Sequence, residues 1–220
     1  MTTPGLQIEG LTVRHGAVTA VSNASLSAAP GEVTCLLGMN GAGKSSLLRA
    51  IIGLAASDGA IAVSGRDISQ MATEHRIRAG IAYVPEGRRV FPGLTVAENL
   101  LVAGPARNAD RQERLATVFE LFPQLAQRPA DRAWQLSGGQ QQMLAIGRAL
   151  MARPDIYLLD EPTLGLSPRV IDDVAESLAR LVQTGAAVLV AEQNAGFAAH
   201  VADRTILIQT GRIVAPSGAA

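Results

Sequence analysis

The sequence predicts an α/β domain built on a buried, parallel β-sheet, and two observations support this. Short apolar runs at residues 81–84, 156–159 and 187–190 are typical of strands that are covered on both faces. Amphipathic helical patterns lie between these runs, which is the order expected when helices connect parallel strands. The 220 residues are enough for one such domain with a sizeable core.

The composition argues against several classes of protein. The 19 basic and 19 acidic side chains cancel, so no nucleic-acid partner is expected. No apolar run approaches the roughly 18 residues of a membrane span, and the opening residues lack the pattern of a signal peptide. Cys35 is the only cysteine, which excludes an internal disulfide and favours a reducing compartment. We expect Cys35 to be a buried structural thiol.

The N-terminal part is predicted to be mainly β-sheet. Residues 6–13 alternate apolar and polar side chains with a slip at Gly10, which indicates an edge strand or a half-buried strand, and residues 18–27 continue the sheet. A helix is expected over 45–52, ended by Gly53 as its C-cap. The elements predicted after it are strands over 61–63 and 81–84 and a small helix over 73–79.

From about residue 88 to residue 152 the pattern is helical, so we expect a helical insert within a single domain that spans residues 1–220. Asp110, with Glu113 three residues later, resembles the capping box of a helix start. Pro123 should end that helix. Its expected apolar face consists of Leu115, Val118, Phe119 and Phe122. The other predicted elements are helices over 137–151, 170–182 and 195–202 and strands over 156–159, 187–190 and 205–208.

Residues 38–45 read GMNGAGKS, the pattern of a P-loop between a strand and a helix. The backbone N–H groups of such a turn converge on phosphate oxygens, and the following helix points its positive end at the same anion. Lys44 is expected to reach the β- and γ-phosphates, and Ser45 to offer its hydroxyl to Mg²⁺. Lys44 is also the only lysine among the 19 basic residues. The alternative is a glycine-rich turn before a helix, without a ligand.

Asp160 and Glu161 directly follow the apolar run at 156–159. A strand that runs into a polar loop is common, so the two acids alone are ambiguous. Next to a P-loop they become specific: Asp160 is placed to hold Mg²⁺, and Glu161 to polarise the water that attacks the γ-phosphate.

The stretch from Ser137 to Gln140 reads SGGQ. One interpretation is a helix start, with Ser137 as N-cap and Gln140 closing a capping box. That interpretation does not explain Gly138 and Gly139, because glycine near a helix interior costs about 1 kcal/mol. A phosphate that approaches the backbone closely would explain both.

These three segments, in this order, resemble the nucleotide-binding subunits of ATP-binding cassette (ABC) transporters over essentially the whole chain. The resemblance implies a P-loop NTPase fold with a RecA-like parallel sheet core, N-terminal antiparallel strands and a helical signature subdomain. It also implies that ATP and Mg²⁺ bind between two cassettes arranged head to tail. The residues implied at the cassette's own ATP are Gly38, Met39, Asn40, Gly41, Ala42, Gly43, Lys44, Ser45 and Ser46. The residues implied at the partner's ATP are Ser137, Gly138, Gly139 and Gln140.

Within that family the sequence is most similar to ATPase subunits of branched-chain amino-acid importers. The stretches that carry this similarity are VPEGRRVF at 84–91, QQMLAIGRAL at 141–150, DEPTLGLSP at 160–168 and AEQN at 191–194. Urea and short-chain amide importers look much the same. The similarity implies transmembrane permease subunits, a periplasmic solute-binding protein, and a peripheral location on the cytoplasmic face of the inner membrane. A soluble ABC ATPase that acts on ribosomes or DNA is the alternative from another class.

Four positions depart from the general family pattern. Glu86 stands where the glutamine of the Q-loop is usual, and it is expected to ligate the metal. Gln193 replaces the switch histidine: it can donate to a γ-phosphate but cannot relay a proton. Ser167 replaces the acid of the D-loop. His15 matches the aromatic residue that stacks on adenine, or is a solvated turn residue. Gln193 and Ser167 favour a sister cassette as the second ATPase subunit, with a homodimer as the alternative.

Overall fold

The computed structural model describes residues 5–105 and 107–214. Its strands are β1 (Leu6–His15), β2 (Val18–Ala28), β3 (Val33–Leu37), β4 (Ser57–Val63), β5 (Arg66–Asp67), β6 (Ile81–Val84), β7 (Ile156–Asp160), β8 (Ala187–Glu192), β9 (Arg204–Gln209) and β10 (Arg212–Val214). Its helices are α1 (Lys44–Ile52), α2 (Thr73–Arg78), α3 (Val96–Val102), α4 (Asn108–Leu121), α5 (Pro123–Ala126), α6 (Gly138–Leu150), α7 (Pro168–Val182) and α8 (Ala195–Val201), with a 3₁₀ turn at Ala133–Gln135.

The N-terminal strands form an antiparallel sheet in the order β2-β1-β4-β5. Buried and exposed residues alternate along β1, as its sequence predicts, and the register shifts after Ile8, where Gly10 takes a left-handed φ of 61°. β1 pairs with β2 on one side and β4 on the other. It is therefore half-buried but internal, and the alternative of an edge strand is wrong.

The second sheet has the order β10-β9-β3-β8-β7-β6, and all of its strands except β10 run parallel. The predicted buried, parallel sheet is confirmed. In this order β3, β8 and β7 are neighbours, and their registers pair Leu37 with Glu192 and Asp160 with Ala191. The loops that follow these three strands therefore leave the sheet side by side.

Two hydrophobic clusters cover the faces of the parallel sheet. Ile156 and Leu158 of β7 point into the cluster that includes α1 and the antiparallel sheet. Tyr157 and Leu159, one residue on, point into the cluster built from α3, α4, α6 and α7. This alternation is what a strand covered on both faces requires. The sheet is consequently a rigid middle layer from which the loops project.

The helices between β6 and β7 agree with the sequence in their apolar faces but not in every boundary. Val118 and Phe122 are buried, with Leu115 and Phe119 packed against the same cluster, as predicted. The predicted capping box at Asp110 is wrong, because α4 begins at Asn108 with Arg107 as N-cap. Asp110 lies inside the first turn, where its negative charge interacts favourably with the helix dipole. Glu113 does not close a capping box but forms an ion pair with Arg153.

Helix α3 begins with a capping box formed by Thr95 and Glu98. The Thr95 hydroxyl accepts from the N–H of Glu98 at 3.1 Å, and the Glu98 carboxylate accepts from the N–H of Thr95 at 2.7 Å. Threonine followed three residues later by glutamate is the sequence pattern of a capping box.

None of the described helices is both long and apolar enough to cross a membrane.

A buried arginine fixes the far end of the P-loop helix. The Arg76 side chain is only 5% exposed. Its Nη1 donates to the carbonyls of Ala50 and Ile51 at 2.7 and 2.8 Å, while Nε and Nη2 donate to Met71 and Ser69. The carbonyls in the last turn of a helix have no partner within the helix. Arg76 supplies partners for those of α1 and adds a cation where the helix dipole favours one.

We expect Arg76→Met to lower the free energy of unfolding by about 2–4 kcal/mol, because it leaves several buried carbonyls without donors. Urea denaturation measures the change. Arg78→Met, at an exposed position of the same helix, is the matched control and should change it by less than about 0.5 kcal/mol. Equal losses in the two variants would contradict this role of Arg76.

Candidate nucleotide-binding site

The loop between β3 and α1 is the predicted P-loop, and its tight course depends on Gly43. This residue has a left-handed φ of 106° and caps α1. A Cβ on Gly43 would lie 2.5 Å from the carbonyl oxygen of Ala20. A larger residue would therefore push the loop away from the antiparallel sheet.

Lys44 lies inside this loop and is 4% exposed. Its ammonium donates to the carbonyls of Gly38 at 2.7 Å and Met39 at 3.1 Å. It also pairs with the Glu161 carboxylate, with 2.8 Å between Nζ and Oε1. An ammonium has three protons, so these three contacts use all of them. An incoming anion must therefore compete with Glu161 for Lys44.

Asp160 is held by two hydroxyl groups. Ser45 donates to its Oδ1 at 2.8 Å, and Tyr83 donates to its Oδ2 at 2.9 Å. Burial first, and the Asp160 charge second, raise the pKa of Tyr83 to about 12, so the phenol stays a donor. The sequence predicts that Ser45 and Asp160 act together. It does not identify Tyr83, because that requires knowing that β6 pairs with β7.

Glu161 combines a strained backbone with a partly unsatisfied carboxylate. Its φ is 49°, a left-handed value that is costly for a residue with a Cβ and is often found at functional sites. Its N–H donates to the Ala191 carbonyl at 2.9 Å. Oε1 contacts Lys44, whereas Oε2 is buried and has no hydrogen-bond partner among the described residues. Burial raises the pKa of Glu161, and the Lys44 charge opposes that shift.

An open cleft lies between the predicted P-loop residues, Glu86 and Glu161, while Asp160 is buried and does not line it. The residues that line it are Ala20, Asn40, Gly41, Gly43, Lys44, Ser45, Ser46, Glu86, Glu161 and Leu164. Glu86 is exposed and reaches this cleft. The Nε2 atom of His15 lies 3.0 Å from the Ser46 hydroxyl, so His15 is beside the first turn of α1.

Gln193 lies beside the P-loop but outside the Lys44 cleft. It lines a neighbouring groove together with Met39, Asn40 and Leu207 and is not among the residues that line the Lys44 cleft. Its backbone N–H donates to the Glu192 carboxylate at 3.1 Å. The structure thus brings Gln193 to the P-loop, at a groove that adjoins the Lys44 cleft, and Asn40 lines both.

The stretch from Ser137 forms the predicted helix start. Ser137 caps α6, and Gln140 closes the capping box. Gly139 has a reason within the chain, because a Cβ there would overlap Val170. A Cβ on Gly138 would lie 2.7 Å from Nη1 of Arg88, the end of a long side chain that can move aside. Intramolecular packing therefore accounts for Gly139 but does not require a glycine at position 138. Residues 137–140 are not among those that line the Lys44 cleft.

The oxygen atoms in the cleft suit Mg²⁺ bound together with a nucleotide. Ser45 and Asp160 supply hard oxygen donors 2.8 Å apart. The described residues contain no cluster of three or more histidine, cysteine or acidic side chains that could hold a metal by themselves. Mg²⁺ commonly takes one or two protein ligands and completes its shell with phosphates and water. The unpartnered Oε2 of Glu161 also fits a cleft that receives a ligand.

Comparisons with known proteins agree on one family. The sequence matches the ABC transporter family over residues 21–164. It is 43% identical over 211 residues to the high-affinity branched-chain amino acid transport ATP-binding protein BraG of Pseudomonas aeruginosa, covering 95% of this chain and 91% of that protein.

Two solved structures show the same fold. One is the ADP conformation of an ATP-binding cassette of an ABC transporter, with 25% identity and a TM-score of 0.87 over 97% of this chain and 91% of that chain. The other is a dimeric cassette in a post-hydrolysis state bound to ADP and Pi, with 25% identity and a TM-score of 0.83 over 96% and 97% of the two chains. With the P-loop, the acid pair and the SGGQ stretch all inside the matched region, the chain belongs to the ABC transporter family as one of its ATPase cassettes.

Proposed function

We propose that this chain binds ATP with Mg²⁺ and hydrolyses it to power an importer of branched-chain amino acids. The observation that carries this proposal is the pair of contacts, Lys44 with Glu161 and Ser45 with Asp160, beside one cleft that Lys44, Ser45 and Glu161 line. The solute is inferred from the similarity to BraG. Import of urea or short-chain amides is the alternative.

The residues at the cleft divide the work. Residues 38–46 surround the phosphates, Lys44 neutralises the β- and γ-phosphates, and His15 lies where it can pack against the base. Ser45, Asp160 and Glu86 would hold Mg²⁺, and the bound ion would neutralise charge on the phosphate oxygens. Glu161 orients the attacking water and accepts its proton, and Gln193 donates a hydrogen bond to the γ-phosphate.

The ion pair between Lys44 and Glu161 links binding to catalysis. Lys44 has no free proton while Glu161 is in contact with it. A γ-phosphate that takes over Lys44 releases Oε1 of Glu161. Because burial raises the pKa of this carboxyl group, the released carboxylate is a better proton acceptor than an exposed glutamate.

The site needs a second cassette. Ser137, Gly138, Gly139 and Gln140 lie at the start of α6, outside the cleft of their own P-loop, so they serve the ATP of a partner. ATP then favours the closed dimer and hydrolysis the open one, which is a population shift. Gln193 and Ser167 favour a sister cassette over a second copy of this chain.

The membrane partner docks at the groove formed by residues 86–91 and the helical insert. Phe91 and Trp134 are 43% and 62% exposed there. Asn99, which is buried, holds the Phe91 backbone through bonds of 2.8 and 3.0 Å, and the Arg148 guanidinium lies 4.4 Å from the centre of the Phe91 ring. This held, exposed ring suits a short helix of a permease subunit on the cytoplasmic face of the inner membrane. A periplasmic binding protein delivers the solute to that permease.

We expect Glu161→Gln to slow ATP hydrolysis by about 10²–10⁴-fold, because it removes the proton acceptor. ATP affinity should be retained or increase, since the neutral amide competes less well with phosphate for Lys44. Steady-state hydrolysis and equilibrium nucleotide titration measure the two effects. Glu176→Gln, at an exposed position of α7, is the control and should hydrolyse ATP at the normal rate. Normal hydrolysis by Glu161→Gln would place the base elsewhere.

We expect the chain to co-purify with membrane permease subunits, and Phe91→Ser to lose most of that association while its own ATP affinity stays normal. Val18→Ser, an exposed apolar position on the antiparallel sheet, is the control and should co-purify normally. Affinity purification from detergent-solubilised membranes makes the comparison. Recovery with ribosomes or DNA in place of permeases would contradict the proposed importer role.

A further inference from the structure

Glu192, the last residue of β8, is a carboxylate that is only 1% exposed. It lies in the AEQN stretch, but the sequence alone assigns this residue no role. Its Oε1 accepts from the Thr163 N–H at 3.1 Å and from the Thr163 hydroxyl at 2.6 Å. Its Oε2 accepts from the N–H groups of Gln193 and Asn194 at 3.1 and 3.2 Å. The carboxylate thus joins the loop after Glu161 to the loop that carries Gln193.

The backbone of Glu192 reaches a third loop. Its carbonyl accepts from the N–H of Gly38 at 3.0 Å, at the first residue of the P-loop. The preceding residue, Ala191, accepts from the N–H of Glu161. Two consecutive residues of β8 therefore bind the turn from Glu161 to Thr163 at both of its ends and also hold the start of the P-loop.

The donors around the Glu192 carboxylate are neutral. The described residues place no lysine, arginine or histidine within ion-pair distance of it. A buried charge is costly unless hydrogen bonds satisfy it, and such bonds are stronger and more directional when the acceptor is charged. The four donors satisfy both oxygens. The charged carboxylate therefore holds the backbone amides of Thr163, Gln193 and Asn194 in fixed positions. A neutral side chain would form weaker hydrogen bonds to the same amides.

We propose that Glu192 is a positioning residue that holds Glu161 and Gln193 in register with the P-loop. The inference rests on the proposed ATPase function. Glu161 depends on it most, because its left-handed backbone conformation is maintained only by contacts that fix the turn on both sides. Loss of the Glu192 charge should let that turn relax and move the Glu161 carboxylate from its place beside Lys44.

Glu192→Gln is the most direct test, because the two side chains have nearly the same shape. If the NH₂ group faces Gln193 and Asn194, two hydrogen bonds are lost. If it faces Thr163, the bond to the Thr163 N–H is lost, while the Thr163 hydroxyl turns round and accepts from the amide. At about fivefold for each lost bond, we expect kcat to fall by roughly 5- to 25-fold. The dissociation constant for ATP should change by less than about threefold, since Glu192 does not line the cleft. Thr163→Val, which removes one bond, should lower kcat by about fivefold.

Amide hydrogen exchange supplies a readout independent of activity. In Glu192→Gln, exchange should become faster at Thr163 or at Gln193 and Asn194, while amides in the middle of β7 and β8 keep their protection. Ser177→Ala is the control, because it removes a buried hydroxyl bond within α7, away from these loops. It should leave kcat and the exchange of the three amides unchanged.

Normal kcat in Glu192→Gln, with an active wild type, would overturn the inference and leave the proposed function standing. A loss of kcat accompanied by faster exchange throughout β7 and β8 would also overturn it, because Glu192 would then act on stability alone. Absence of hydrolysis in the wild type would contradict the proposed function instead, and the exchange measurement would still decide whether Glu192 holds the two loops.

Discussion

The site depends on the parallel pairing of β3, β8 and β7. Strands that run in the same direction end at the same edge of the sheet, and here the paired positions are Leu37 with Glu192 and Asp160 with Ala191. The P-loop and the Asp160–Glu161 pair therefore each begin one strand spacing from the Gln193 loop, on its two sides. Packing on both faces of the sheet makes this register rigid. The strand ends therefore fix where the three loops begin, which short loops could not do by themselves.

Electrostatics explain why this edge attracts cations and phosphate together. Asp160, Glu161 and Glu192 are buried there, with Lys44 as the buried cation beside them. The excess of negative charge is visible at Cys35: its pKa is raised to about 12 by burial first and then by Glu192 and Glu161. In the proposed function, a magnesium ion bound with the nucleotide would compensate the acids, and Lys44 would receive the phosphate. The buried thiol also agrees with the structural role predicted for Cys35.

The sequence predicts the parts of the fold that depend on local patterns. The glycine spacing identified the P-loop, apolar runs identified the buried strands, and Ser137 with Gln140 identified the start of α6. Local patterns do not predict contacts between distant segments. Tyr83 contacts Asp160 only because β6 lies beside β7. Arg76 contacts the end of α1 only because α2 packs against that helix. The edge-strand prediction for β1 was wrong for the same reason: β1 is internal because β4, about 50 residues later, pairs with its free side. Asp110 and Glu113 have the spacing of a capping box, but α4 begins two residues earlier, so Asp110 is inside the helix and does not cap it.

The central claim is that nucleotide replaces Glu161 at Lys44. A crystal structure of the wild-type chain with Mg²⁺ and a non-hydrolysable ATP analogue tests it most directly. We expect a phosphate oxygen within about 3 Å of the Lys44 ammonium, Ser45 and Asp160 facing the metal, and the Glu161 carboxylate out of contact with Lys44. An intact ion pair of 2.8 Å between Lys44 and Glu161, with the nucleotide bound elsewhere, would contradict the claim.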